Sequence, residues 1–296
     1  MQESIKIIPS HLIDESKWND CLLVNKGLIY SRYEYLNAMS KHWVGLVLGD
    51  YKGIMPICFK KKFGIQYSFI PPFIQQLNWV GKPVSTLDLK HIILQFTKYG
   101  DLMWNRMDKG FNQLPKTNFI IDLNNSYENI YNNYSTDLKQ NLKKAAKEKL
   151  NYKGSSTIIQ AINIYKKLYA NRLEKTTQQD FDHFINLCLQ LFNNNQCFVR
   201  EVLNSNNEIM AIALLLKDEN RIYNIANTTT ELGRKTEANH FLLDNIIKEF
   251  SSKDLIFDFE GSDIDGVKKF YQKFGPINEP YYHWHINEHW LLPKGF

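Results

Sequence analysis

The residues Asp258–Gly275, DFEGSDIDGVKKFYQKFG, decide how this chain is read. Leu255–Phe259 is apolar and aromatic enough for a strand, and Gly261 ends it. Asp263 and Asp265 are acids at a helix start, and Val267–Lys273 reads as a short basic, aromatic helix closed by Gly275. A carboxylate, Glu260, therefore stands at the mouth of a strand, facing a helix that carries Phe270, Tyr271 and Lys273. A strand end followed by a helix is a common place for a ligand in an α/β sheet, so this stretch points to a binding cleft.

The same order of elements occurs twice. In the first half, Ile5–Ile8 reads as a strand, and Glu15–Val24 and Ser31–Lys41 as helices. A hairpin of Trp43–Leu48 and Gly53–Phe59 follows, then a strand at Gln66–Ile70. Ser85 caps a helix to about Lys98, and Leu102–Arg106 and Phe119–Leu123 return to strand. In the second half, helices are expected over Thr136–Leu150, Ile158–Arg172 and Phe181–Phe192. The strands Cys197–Leu203, Ile209–Leu216 and Ile222–Ala226 come next, then a helix Thr236–Phe250 and the strand Leu255–Phe259. Tyr282–Ile286 is the last strand. Two helices, a meander, a helix and a strand make a mixed sheet rather than a doubly wound one. The polar segment Asn124–Tyr134 sets the divide, giving domains 1–122 and 123–296, with the last strand a candidate to return to the first.

Composition limits the function classes. The chain has 296 residues, 44% hydrophobic and 14% aromatic, which supports packed cores rather than disorder. No apolar run reaches the roughly 20 residues that span a bilayer, and the N-terminus lacks the pattern of a signal peptide. Cys21, Cys58, Cys188 and Cys197 are scattered, so neither a zinc framework nor a disulfide framework is expected, and a reducing cytoplasm is the simpler setting. A net charge of +5 permits an anionic ligand without requiring nucleic acid. Lys139, Lys143 and Lys147 recur at helical spacing, which reads either as a surface for phosphate or RNA or as a solvated helix face. The segment HWHINEH near the C-terminus puts His283 and His285 on one strand face. No further cluster completes a ligand set, so it is read as a polar strand face and no metal is expected.

Several of these stretches together resemble the FemAB/FemX-like branch of the GNAT acyltransferase superfamily. They are Asp258-Phe259-Glu260-Gly261-Ser262, Phe270-Tyr271 with Lys273-Phe274-Gly275, Leu138–Ala146 (LKQNLKKAA), Gly53-x-x-Pro56 with Lys60–Gly64, and Pro71–Leu77 (PPFIQQL). The resemblance implies an α/β chain with mixed sheets, built as two tandem GNAT-like domains of the acyl-CoA N-acyltransferase fold packed around a cleft. It implies transfer of an acyl or aminoacyl group to an amine, with acyl-CoA or aminoacyl-tRNA as co-substrate and no permanently bound cofactor. The acceptor would be a small-molecule or precursor amine, possible acceptors including a cell-wall or envelope precursor, and a tRNA is a candidate partner. The chain is expected to act as a monomer or weak dimer.

Roles follow by position. Glu260 is the candidate proton acceptor and Tyr271 the candidate proton donor to the leaving group. Ser262, Phe270 and Lys273 are expected at the substrate, as are Tyr30, Arg32, Tyr35, Lys60, Gln75 and Gln76 from the first half. Arg234, Lys235, Thr236 and Asn239, with Lys139 and Lys143, are expected to hold the donor's phosphates. The chain departs from the family pattern at three residues, one of them Asn239, which stands where a second small residue is expected. Glu237 stands where a phosphate-cradling glycine is expected, with Thr236 and Glu237 reading as an N-cap and a first-turn acid. Tyr271 stands where peptidyltransferase members often have lysine. These departures leave open a second reading, a catalytically degenerate pair that binds an envelope precursor or a carbohydrate intermediate.

Overall fold

Side-chain caps decide where most helices begin. Asp14, Ser85, Ser126, Ser135, Thr177 and Thr230 each accept the backbone N–H three residues on, pairing one of the four donors a helix start leaves unpaired. In chain order the helices are α1 (Glu15–Val24), α2 (Tyr33–Met39), α3 (Thr86–Phe96), α4 (Tyr127–Asn132), α5 (Thr136–Ala145), α6 (Ile158–Tyr169), α7 (Gln178–Asn193), α8 (Glu231–Lys235), α9 (Ala238–Phe250) and α10 (Asp265–Gln272). The strands are β1 (Ile5–Pro9), β2 (Trp43–Leu48), β3 (Gly53–Lys62), β4 (Ile65–Ser68), β5 (Val80–Gly81), β6 (Tyr99–Trp104), β7 (Gln113–Lys116), β8 (Phe119–Asp122), β9 (Asn151–Ser155), β10 (Cys197–Leu203), β11 (Ile209–Lys217), β12 (Arg221–Thr229), β13 (Ile256–Asp258), β14 (Ile277–Asn278) and β15 (Tyr281–Asn287). The computed structural model describes residues 4–107, 113–169, 176–261 and 263–288. The chain forms two units, Met1–Lys116 with Pro280–Phe296, and Thr117–Glu279.

The first unit's sheet runs β1-β2-β3-β4-β6-β15-β7, with β5 on β3. Its core joins Leu46, Met55 and Ile57 of the hairpin to Leu89 and Ile93 of α3. Trp104 and Trp284 stack there at 5.8 Å. The C-terminal strand β15 pairs with both β6 and β7.

The second unit's sheet runs β14-β8-β13-β12-β11-β10-β9. The interior strand β11 is buried on both faces. Ala211, Ala213 and Leu215 meet the layer of α5 and α9, while Ile212, Leu214 and Leu216 alternate to the other side. Leu242, Leu243, Ile246 and Phe250 of α9 point inward, as their spacing requires.

Each unit is a mixed sheet in which one described strand pair is parallel: β4 with β6, and β12 with β13. Both pairs are short. Only Ser68 and Gly100 pair in the first unit, and only Arg221–Tyr223 with Ile256–Asp258 in the second.

Some expectations change. The strand expected at Phe119–Leu123 to close the first half forms over Phe119–Asp122 and pairs with β13 and β14 in the second unit's sheet, and the units divide after Lys116. The polar segment Asn124–Tyr134 contains a helix, α4, capped by Ser126. The helix expected over Thr136–Leu150 ends at Ala145, and Asn151–Ser155 forms an edge strand on β10. The helix expected from Thr236 begins only at Ala238, and a separate short helix, α8, precedes it. Thr236 ends α8, where its hydroxyl donates to the Leu232 and Gly233 carbonyls at 3.1 and 3.3 Å, and α9 starts only after Glu237. Among the described residues no helix is long and apolar enough to cross a membrane, and the four cysteines are free and buried.

Candidate active site

The site forms where β12 and β13 stop pairing. Beyond Tyr223 and Asp258 the two parallel strands part, and a cavity of about 600 Å³ opens between them. That volume suits a small-molecule ligand. The register of β12 on β11 shifts at this point: Tyr223 faces Leu216 and Ala226 faces Leu214, so Asn224 and Ile225 together oppose Leu215. This bulge turns Asn224, Ile225, Asn227 and Thr229 all towards the cavity, which a regular strand could not do.

Beneath the cavity floor lies a buried charge network. Asp258, 1% exposed, accepts from Arg221 Nη1 at 2.6 Å, Asn118 Nδ2 at 3.2 Å and the Glu260 backbone N–H at 2.8 Å. Arg221 also reaches Glu279 at 2.8 and 3.2 Å. Burial opposes the charge on Arg221, but Asp258 and Glu279 outweigh it and raise its pKa. The bond from the Glu260 N–H to Asp258 closes a tight turn that holds Glu260 at φ 59. That left-handed conformation strains a non-glycine residue by on the order of 1 kcal/mol, and such strain collects at functional sites. The turn sets the Glu260 carboxyl in the cavity wall, where burial pushes its pKa up to about 8.

Tyr271 of α10 lines the same wall, its ring 4.7 Å from that of Phe259. Burial, then the neighbouring Tyr169, Tyr165 and Glu260, raise its pKa above the ordinary tyrosine value, so it keeps its proton at neutral pH. Asn224 lines the same cavity. The Phe270 ring lies tilted against that of His240 of α9, their centroids 4.6 Å apart.

The opposite wall is the start of α9. Glu237 precedes the helix at φ 58, the backbone conformation a glycine would supply, and its side chain does not cap the helix. Instead its carboxylate meets His240 Nδ1 at 2.8 Å. Burial holds the His240 pKa below its usual value, Glu237 opposing and Lys273 reinforcing. The ring is therefore neutral at neutral pH, with Nδ1–H donating to Glu237. Asn227 Nδ2, Asn239 Oδ1 and His240 Nε2 are buried and have no hydrogen-bond partner among the described residues. Orphaned polar atoms gathered around one cavity are what a bound polar ligand would pair.

Of the residues expected at the site, Glu260, Tyr271, Phe270, Arg234 and Asn239 line this cavity. Arg234 also donates to the Thr229 carbonyl at 3.0 Å. Others are placed differently. Lys235 pairs with Glu231 on the surface, and Thr236 is occupied by its own helix. Lys273 is held by Asp137 of α5 at 2.6 Å. Lys139 donates to the Asn132 carbonyl at 3.0 Å and lies over the Tyr131 ring, while Lys143 is exposed on α5. Ser262 lies outside the described residues.

The first-half candidates all belong to the first unit. Tyr30 and Tyr35 are core residues in edge contact at 5.6 Å, with the Tyr35 hydroxyl donating to the Phe73 carbonyl. Arg32 lies 3.9 Å from Glu34, and Lys60 covers the Phe69 ring at 4.3 Å. Gln76 donates to Gln75 at 2.8 Å.

Sequence reasoning missed Asn224, Asn227, Tyr165, Tyr169 and the Glu237–His240 pair, all of which line the cavity. Only the pair left a signal, an acid three residues before a histidine at a helix start.

The fold can be compared with known structures. FemX superposes with a TM-score of 0.63 at 10% identity, over 96% of this chain and 98% of that one. L-PGS from Bacillus licheniformis gives 0.54 at 13% identity, over 94% and 93%. A GCN5-related N-acetyltransferase from Sphaerobacter thermophilus gives 0.51 at 7% identity, over 95% and 96%. No protein-family model and no curated protein sequence matches the chain. At such identities the likeness is one of fold, and this chain has the FemX-like form of the GNAT acyltransferase fold over nearly its whole length.

Proposed function

We propose that the chain is an N-acyltransferase, moving an acyl or aminoacyl group from an activated thioester or ester to an amino group in the cavity of the second unit. One observation carries the reading. Glu260 and Tyr271 share one cavity wall at the point where the parallel strands part, in a fold shared with FemX and a GCN5-related N-acetyltransferase.

In this reading the amine nitrogen attacks the acyl carbon and a C–N bond forms. The tetrahedral intermediate then collapses with cleavage of the C–S or C–O bond. Tyr271, held protonated by burial, gives its proton to the leaving sulfur or oxygen. Above about pH 8 the ionised Glu260 takes the amine's proton. Below that the neutral carboxyl cannot take this proton, and transfer slows.

The start of α9, with Arg234 and Asn239, suits the phosphates of acyl-CoA or the 3′ end of an aminoacyl-tRNA. Turning Glu237 onto His240 offsets part of the repulsion expected from its carboxylate. The exposed lysines of α5 suit a tRNA backbone. The resemblance to FemX makes an amine of a cell-wall or envelope precursor the first acceptor to try.

The test is incubation with acetyl-CoA, longer acyl-CoAs and charged tRNA against small amines and UDP-linked muropeptide, with the amide product followed by mass spectrometry. Amide formation with any donor supports the reading. If no donor reacts or raises the melting temperature while an acceptor at roughly 100 times its Kd adds about 2.7 kcal/mol of stability, the chain is a non-catalytic binder.

A further inference from the structure

The alternation His283-Trp284-His285 puts both imidazoles on one face of β15 and buries Trp284 on the other, in the first unit's core. Two histidines on one strand are a common polar face. The neighbouring strand changes their meaning. Antiparallel pairing with β6 sets His285 directly opposite Asp101. Asp101 Oδ1 lies 2.7 Å from His283 Nε2 and 2.9 Å from His285 Nδ1. One nitrogen from each ring and one carboxylate oxygen thus lie within 4.8 Å of one another.

We propose that Asp101, His283 and His285 form a three-ligand site for a divalent ion of the zinc class. Two imidazoles and one carboxylate suit zinc, cobalt and nickel. They do not suit calcium or magnesium, which need a shell made mainly of oxygens. The ligands sit on paired strands rather than a loop, which limits their movement. Tyr99 holds the His285 ring edge-on at 5.9 Å. The side chains of His283, Asp101 and His285 are 23%, 45% and 41% exposed, so the ion can enter from solvent and keep at least one position for water or an outside ligand. Each ring binds as neutral imidazole through the nitrogen that now faces Asp101, with its proton on the other nitrogen.

The site also has a structural consequence. Its ligands are 182 and 184 residues apart in sequence, so an ion here clasps the C-terminal strand onto β6. The folded chain binds it and the unfolded chain lacks the site, so the ion raises the melting temperature. None of this depends on the acyl-transfer reading.

The test uses the full chain without a histidine tag, treated with EDTA and desalted. It is titrated with zinc chloride by calorimetry and with cobalt chloride by visible absorption. The proposal expects one-to-one saturation below about 100 μM, visible bands of four- or five-coordinate cobalt, and a higher melting temperature. Asp101→Asn and His283→Gln each weaken binding at least about tenfold while circular dichroism stays unchanged. No saturation by about 100 μM overturns the proposal. So does equal binding by the His283→Gln/His285→Gln double variant, because the chain's 8 histidines offer other sites. If the variants do not fold, anomalous scattering at the zinc edge from wild-type crystals decides: an ion between Asp101 and the two histidines supports the site, and an ion elsewhere sinks it.

Discussion

Replacing Glu260 with glutamine keeps the shape of the side chain and removes its charge, and the structure sets how stability must respond. Burial raises the carboxyl from its ordinary 4.5 to about 8. Between those values the folded protein holds a proton that the unfolded chain has released. Unfolding therefore releases a proton in this window, and stability falls as pH rises through it. A rise of about 3.5 at about 1.36 kcal/mol each corresponds to roughly 5 kcal/mol once the pH is well above 8. Water reaching the open side of the cavity trims this, so about 2 to 5 kcal/mol is expected.

The same cavity carries Tyr271, Tyr165, Tyr169, Arg234, Glu237 and His240, with Asp258 beneath Glu260. Both proteins share these groups, so the difference between them isolates Glu260. Urea unfolding of wild type and Glu260→Gln at pH 5, 7 and 9 measures it. The two should be close at pH 5, and the variant should be the more stable by about 2 to 5 kcal/mol at pH 9. A difference that is the same at all three pH values would refute the buried, proton-holding carboxyl.

Further outcomes follow from other residues. For any donor and amine that react, kcat/KM should climb with pH and level off above about 8 in wild type, as Glu260 ionises, and this limb should be missing in Glu260→Gln. Gly100 sits at φ 121, where an added Cβ would meet the Ser68 carbonyl oxygen at 2.0 Å; Gly100→Ala should cost at least about 2 kcal/mol in chemical denaturation, and a cost within error of zero would contradict the tight strand contact. Asp258→Asn leaves Arg221 buried with Glu279 as its remaining charged partner; stability should drop by about 3 to 5 kcal/mol, measured at pH 7 by urea titration.

Much of the fold was legible because its signals are local. The cap of Ser85, the inward spacing of α9 and the hairpin of β10 and β11 can all be read from short windows. What escaped depends on distant partners. The edge strand Asn151–Ser155 is polar and mostly exposed, and pairing with β10 alone makes it a strand. The six-residue helix α4 is too short for its period to show in a polar segment. Phe119–Asp122 reads as a strand anywhere; only pairing with β13 assigns it to the second unit.

The site divides in the same way. Glu260, Phe270 and Tyr271, which line one cavity, could be grouped from sequence because strand end, turn and helix are neighbours in the chain. The bulge that turns Asn224 and Asn227 inward lies in the register of β12 on β11, which no single strand records. Lys273 looked available as a cation until Asp137, 136 positions earlier, took it. Tyr30 and Tyr35 looked like groove residues because an aromatic lining a cleft and one packing a core have the same composition.

The most direct measurement is single-turnover formation of the amide product by wild type and by the Glu260→Gln/Tyr271→Phe double variant, at pH 8.5, with every donor and acceptor that binds. Product from wild type, slowed at least about a hundredfold in a variant whose circular dichroism is unchanged, is the predicted result. No product from any pairing, or equal rates in both proteins, would contradict acyl transfer in this cavity.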